Sequence, residues 1–260
     1  MGTSAPHRLA TELERPLISC IVPVFNGERY LAEALESVLA QTYRPLEIIV
    51  ADDGSTDGTR GVAASYSDSV TYQCQPTAGP PATRNLGLRT ARGEFVAFLD
   101  ADDLWHPEKL ARQMARFEAR PEIGACVTHV RHFWIPDLTE EERRFRGHRR
   151  AEALPGYYTS TLLARRSVFD TVGEFNPALW HSDATEWFLR AAELGAVVEL
   201  LPEVLTYHRL HHTNLSRREG EACRQEFIRL VKASLERRRR QGAPIAPPHR
   251  SSRSDWRQSG

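Results

Sequence analysis

The chain has 260 residues, enough for one large core or two small ones. Lys plus Arg and Asp plus Glu are both 34, so the formal net charge is zero, and whole-chain charge gives no reason to expect a nucleic-acid partner. Cys20, Cys74, Cys126 and Cys223 lie far apart and form no CxxC pair, which argues against a thiolate zinc site, and nothing demands a disulfide framework, which fits a reducing cytoplasm.

Residues 1–15 are polar, lack the apolar stretch of a signal peptide, and read as a flexible N-terminal segment. Residues 17–24 are a nearly continuous apolar run, the pattern of a strand covered on both faces. Tyr30, Leu31, Ala34, Leu35, Val38 and Leu39 then recur at helical spacing, with Asn26 available as an N-cap. Residues 46–51 predict a second buried strand, 56–66 a helix, and 70–73 a short strand. Residues 81–90 predict a helix with proline in its first turn. Residues 94–99 are strand-like, Pro107 opens a helix to about Ala119, and 124–130 form another strand.

The second half is less regular. Residues 139–151 are dense in Glu and Arg and predict a mobile loop or a solvated helix. A helix over 183–194 stops at Gly195. Residues 197–200 and 205–208 look like two short strands, and 221–240 a helix. Residues 241–260 shift to Pro, Ser, Arg and Gly and read as a disordered basic tail. No apolar run approaches the ~20 residues of a membrane span.

The alternation of strands and helices predicts an α/β, doubly wound, mostly parallel sheet. Its polar clusters fall at strand ends: Phe25-Asn26, Asp52-Asp53 and Asp100 to Asp103. Ligands of open α/β sheets bind outside the carboxyl ends of the strands, so three clusters converge on one crevice. Asp100 and Asp102 flank one residue and can share a face. Such a pair suits a hard divalent cation carrying phosphate oxygens; a solvated turn would use the same residues. The Asp52–Thr59 stretch reads equally as a glycine-assisted turn or as a carboxylate for a base or ribose.

Three segments in order, PVFNGERYLAEALESVLAQTYRPLEIIVADDGSTDGT from Pro23, ATRNLGL from Ala82 and GEFVAFLDADDLWHPEKL from Gly93, resemble family 2 glycosyltransferases of the GT-A fold. The resemblance is strong over residues 17–110 and continues more weakly to about Arg217. It implies a nucleotide-sugar-binding half over 16–110 and an acceptor-binding half over 111–217, followed by a C-terminal helix over 218–240. It implies that Pro23, Phe25 and Asn26 line the donor site, with Phe25 stacking on the base, and that Asp53 binds uracil. Arg84 and Asn85 match an Arg-Asn pair near the nucleotide, with Arg84 on the diphosphate. Asp100 would contact the ribose, Asp103 a sugar hydroxyl, and Asp102 a Mn2+ or Mg2+ ion. His211, in a stretch resembling Arg-x-His-x-x-Asn-x-Ser, would approach the metal or diphosphate, with Arg209 supporting.

The family pattern for the general base is a Glu-Asp pair opening a helix, a few residues before Leu-Arg. Aligned on Leu189-Arg190, Asp183 stands where the Glu is expected, Ala184 where the Asp is, and Glu186 at the next acidic position. Asp183 is the first candidate base, Glu186 the second and His181 the third; as structure alone, Asp183 is a helix N-cap.

The expected activity is inverting transfer from a nucleotide-sugar, UDP favoured, to a glycan, lipid-linked or other hydroxyl acceptor. Ala184 keeps open a module that binds donor or partner without transfer. A nucleotidyltransferase is disfavoured, because no glycine-rich phosphate loop follows the first strand. The expected location is the cytoplasm, with peripheral contact at the inner membrane face through Arg237 to Arg240 and the basic tail as an option, and no nucleic acid is expected.

Overall fold

The computed structural model describes residues 15–147, 152–218 and 220–240. The predicted N-terminal segment, apart from Arg15, and the predicted tail over 241–260 lie outside the described residues. The first half follows the apolar periodicity: β1 (Ile18–Val24), α1 (Leu31–Leu39), β2 (Leu46–Asp52), α2 (Thr59–Ala64), β3 (Val70–Cys74), α3 (Pro80–Thr90), β4 (Phe95–Phe98), β5 (Leu104–Trp105) and α4 (Lys109–Ala119). The second half contains β6 (Ala125–Trp134), α5 (Thr139–Phe145), β7 (Leu154–Pro155), a 3-10 turn (Thr159–Thr161), β8 (Leu163–Arg165), α6 (Arg166–Val172), α7 (Asp183–Glu193), β9 (Val198–Leu210), α8 (Leu215–Arg218) and α9 (Gly220–Arg240).

Among the described residues nine strands form one sheet in the order β3-β2-β1-β4-β8-β6-β9-β5, with β7 paired to β6. Most paired residues lie in the parallel ladders β3/β2/β1/β4 and β6/β9, and the antiparallel β8 joins these two groups. Every β1 side chain is buried, because helices cover both faces of the sheet. On one face Leu31, Leu35 and Val38 of α1 and Leu110, Met114 and Phe117 of α4 pack against Ile18, Cys20, Val22 and Ile48. On the other, Leu88 of α3, Phe169 of α6 and Trp187 of α7 pack against Ile21, Ile49, Val96 and Phe98.

Of the two alternatives for the glutamate-rich segment, its described part takes the solvated helix, α5, with no buried residue, and residues 148–151 lie outside the described residues. Two elements differ from the sequence expectation. Asn26 does not cap α1: it adopts φ 50°, and its side chain accepts the Thr56 N–H. The two short strands expected around 197–208 are one strand, β9. Its ladder with β6 shifts register between Thr128 and Val130 of β6, opposite Leu201 to Thr206 of β9. Pro202 sits there and cannot donate to a ladder, so the strand bulges instead of ending. No described helix is long and apolar enough to cross a membrane.

Lys109 is wholly buried, 4.2 Å above the Trp105 ring, and donates to Gln113 Oε1 at 2.9 Å. Burial pushes its pKa down from 10.5 to about 7. Between those values the unfolded chain binds a proton here that the folded chain does not, so this position's contribution to stability rises with pH across the window. Lys109→Met removes that slope. In urea titrations the wild type should gain stability relative to K109M between about pH 7 and about pH 9; parallel pH profiles would contradict the buried neutral amine.

Candidate functional site

The crevice opens where β1 and β4 part. Their ladder ends at Ile21 and Phe98, two residues before Pro23, which has no N–H to continue it. β2 and β4 lie on opposite sides of β1, so this is a topological switch point. The predicted clusters meet here. Phe25 is 53% exposed at the end of β1, an aromatic face left in solvent beside buried Pro23.

The loops after β1 and β2 are stitched together. Asn26 N–H donates to Ser55 Oγ, Gly27 N–H to Thr59 Oγ1 and Glu28 N–H to Asp57. Asp53 is buried and organises the loop over residues 75–79. Its Oδ1 accepts from Gln75 Nε2 at 2.8 Å and Ala78 N at 2.9 Å, and its Oδ2 from Gly79 N at 2.9 Å. A carboxylate has about four acceptor sites, so one is left beyond these three bonds.

α3 carries Arg84 and Asn85 against the sheet. Gly87 makes the approach feasible: a Cβ there would fall 2.3 Å from Ile21. Buried Arg84 donates through Nη1 to Asp183 Oδ2 at 2.7 Å and through Nη2 to Asp100 Oδ1 at 3.1 Å. Burial disfavours its charge, but the two carboxylates more than offset this and hold its pKa above the usual arginine value. Arg84, expected on a diphosphate, thus ties the end of β4 to the start of α7. Asn85 is turned to the core instead: Nδ2 donates to Phe175 O and Oδ1 accepts Phe175 N–H. Trp187, one turn after Asp183, is wholly buried and fixes that face of α7 on the sheet. Glu186 leaves the cluster. Its carboxylate is held by Arg190 at 2.8 Å and 3.0 Å, and Arg190 also binds the carbonyls of Val172 and Glu174.

The turn after β4 separates Asp102 from Asp103. Asp102 Oδ2 meets His211 Nε2 at 2.8 Å and Asn214 Nδ2 at 3.3 Å. Burial would raise this carboxyl, but the His211 hydrogen bond and the charge of His208 hold it below the usual range. Asp103, expected on a sugar hydroxyl, is 0% exposed and bonds His208 Nδ1 at 2.9 Å and Arg209 N at 3.1 Å, with Tyr158 at 3.5 Å. Burial alone would lower the His208 pKa; Asp103 instead holds it up to about 9. Arg209 donates to the Asp102 carbonyl and to Glu33 and lies over the Tyr30 ring. The structure adds Tyr158, Ser160 and Asn214 to the site. Asn214 has a signal, its fixed spacing from His211; Tyr158 and Ser160, which receives the Asp100 N–H, lie in a stretch without periodicity.

Among the described residues no three His, Cys, Asp or Glu side chains form a metal cage. The donor chemistry nevertheless fits a hard divalent ion that takes phosphate oxygens as its other ligands, because Asp102 Oδ2 and His211 Nε2 face each other at 2.8 Å. Arg84→Met would leave two carboxylates facing a buried gap. A destabilisation of about 3 kcal/mol in urea unfolding is expected, partly recovered when Asp183→Asn is added. Equal losses in the single and double variants would show that the ion pairs do not carry this effect.

The chain matches the Glycosyl transferase family 2 model over residues 19–175. An uncharacterised glycosyltransferase of Nostoc sp. is 32% identical over 212 residues, covering 76% of this chain and 66% of that protein. One of Rickettsia typhi is 43% identical over 184 residues, covering 66% of this chain and 58% of that protein. The chain thus matches about two-thirds or less of the length of these relatives. In structure it is similar to Staphylococcus aureus TarS 1-349 in complex with UDP-GlcNAc, with a TM-score of 0.62, 22% identity and coverage of 76% and 59%. It is also similar to the mannosyltransferase PcManGT of Pyrobaculum calidifontis in complex with GDP-Man and Mn2+, with a TM-score of 0.64, 22% identity and coverage of 85% and 66%. With the strand order and the motif positions described above, these matches establish that the chain belongs to glycosyltransferase family 2 and has the GT-A fold.

Proposed function

We propose that this chain transfers a sugar from a nucleotide-sugar, UDP favoured, to a hydroxyl acceptor with inversion at the anomeric carbon. The observation that carries the reading is the Asp100–Arg84–Asp183 bridge beside the Asp102–His211 pair, at the carboxyl end of β4. The UDP-GlcNAc bound by TarS, and the GDP-Man and Mn2+ bound by PcManGT, support a nucleotide-sugar donor.

Phe25 and Asp53 would take the base, Asp100 the ribose, and Asp102 with His211 a Mn2+ or Mg2+ ion. Such an ion, when bound, neutralises charge on the leaving diphosphate. Asp183 would accept the proton of the acceptor hydroxyl as its oxygen bonds the anomeric carbon and the nucleoside diphosphate departs. Arg84 grips Oδ2, so in this reading Oδ1 would take the proton. The acceptor we favour is a glycan or lipid-linked sugar. A module that binds donor without transfer is the reading that Ala184 favours.

Incubation of the full chain with Mn2+ and a panel of UDP-, GDP- and TDP-sugars decides between them. Turnover of a UDP-sugar is expected, with product identified by mass spectrometry. Asp183→Asn should lower kcat by about 100-fold or more and leave UDP binding nearly unchanged. Asp102→Asn should weaken Mn2+-dependent UDP binding. Donor binding without turnover, with Asp183→Asn indistinguishable from wild type, would sink the transferase reading.

A further inference from the structure

The backbone just before Asp183 is held from outside the sheet. The N–H groups of Trp180, His181 and Ser182 all donate to the carboxylate of Glu226 on α9, at 3.1, 2.8 and 2.6 Å. Ser182 is the N-cap of α7, and Trp180 and His181 precede it, so these N–H groups have no partner within the helix, and the helix dipole favours an anion beside them. Ser182 makes no side-chain cap bond of its own, and the anion comes from a distant helix. Burial would raise the Glu226 carboxyl, but the three N–H groups hold it below its usual range, so the grip is that of an anion.

α9 is pinned to α7 a second time. Ser234 Oγ donates to Glu193 Oε1 at 2.6 Å, and Arg237 approaches the same carboxylate at 3.3 Å. With one anchor at each end of α7, the two helices run in the same direction in a fixed register. On its other side the 180–182 segment meets the donor loop. The Trp180 ring lies on Gly79, where a Cβ would fall 2.7 Å from it, and Gly79 N–H is bound by Asp53. Ser182 is followed directly by Asp183, which faces Arg84. The family match ends at residue 175, before the 180–182 segment, Asp183 and Glu226.

We propose that Glu226 is a positioning residue for the transfer reaction: by holding the backbone of residues 180–182 it sets the carboxylate of Asp183 against Arg84 in the orientation that accepts the acceptor proton. This rests on Asp183 being the base, as inferred above. α9 is then a working part of the site, acting through the backbone that precedes Asp183. A small displacement of a base is costly, since about 1 Å can lower a rate by about 100-fold.

The test uses the full chain, Mn2+ and the UDP-sugar of the panel that the wild type turns over. Glu226→Ala should lower kcat by about 10-fold or more, while the donor KM and the Kd for UDP stay within about 2-fold. Glu226→Gln keeps a carbonyl oxygen for the His181 and Ser182 N–H groups and should recover most of the rate; it also serves if the alanine variant folds poorly. Adding Glu226→Ala to Asp183→Asn should cost little more than Asp183→Asn alone, because the clamp acts through that carboxylate. A folded E226A with kcat within about 2-fold of wild type, or losses that simply multiply, would overturn the proposal. A wild type that turns over no donor removes the reading beneath it and the proposal together. An active wild type with an unaffected E226A removes the proposal alone.

Discussion

Arg84 is a guanidinium with little access to solvent, and it faces carboxylates from two distant parts of the chain. A buried cation is tolerated only where its charge is met. Asp100 at the end of β4 and Asp183 at the start of α7 meet it together through Nη2 and Nη1, with Nε left buried without a hydrogen-bond partner, so α3, β4 and α7 have to arrive in one arrangement. The surrounding packing is built to that end. Gly87 lets α3 close on β1, Asn85 clasps the backbone of Phe175, and Trp187 seats α7 on the sheet. The same bridge joins the strand-end crevice, where a nucleotide would lie, to the helix that carries the candidate base.

The turn over residues 100–103 shows how far a few residues can divide similar groups. Asp100 and Asp102 keep side-chain exposures of 28%, while Asp103 is sealed. The Asp103 N–H returns to the Asp100 carbonyl, closing the turn and sending neighbouring carboxylates to different partners. Asp100 goes to Arg84, Asp102 to His211, and Asp103 to His208 and the Arg209 backbone. β9 supplies His208 and Arg209 and leads directly into His211, so an irregular-looking half of the sequence supplies the partners of its most regular motif.

Much of the first half was legible because its strands are buried on both faces and its helices have one apolar face, which leaves continuous and periodic patterns in the sequence. The order β1 to β4 and the convergence of Phe25, Asp53 and Asp100 to Asp103 follow from that. The second half was harder to read. β9 looked like two strands because Pro202 interrupts its pattern, yet pairing with β6 carries the strand across the bulge. Asn26, Asn85 and Glu186 were read by motif position, whereas each is directed by a local partner: the Thr56 N–H, the Phe175 backbone and Arg190. Glu226 left no signal at all, since one glutamate on a charged helix resembles its neighbours.

The α/β class, the strand ends that carry acidic residues, the family resemblance and the Ala184 substitution in the base motif are all legible in the chain alone. Those properties are written in local periodicity and short spacing. Which carboxylate faces which cation depends instead on contacts between distant parts of the chain. Asp183 and Glu186 are both acidic residues in the first turn of one helix, separated by less than one turn. One points to Arg84 and the other to Arg190, because the buried Trp187 fixes the rotation of α7 and Glu226 holds the loop before it. Rotation about a helix axis is set by what the helix packs against, and those contacts come from residues far away in the chain.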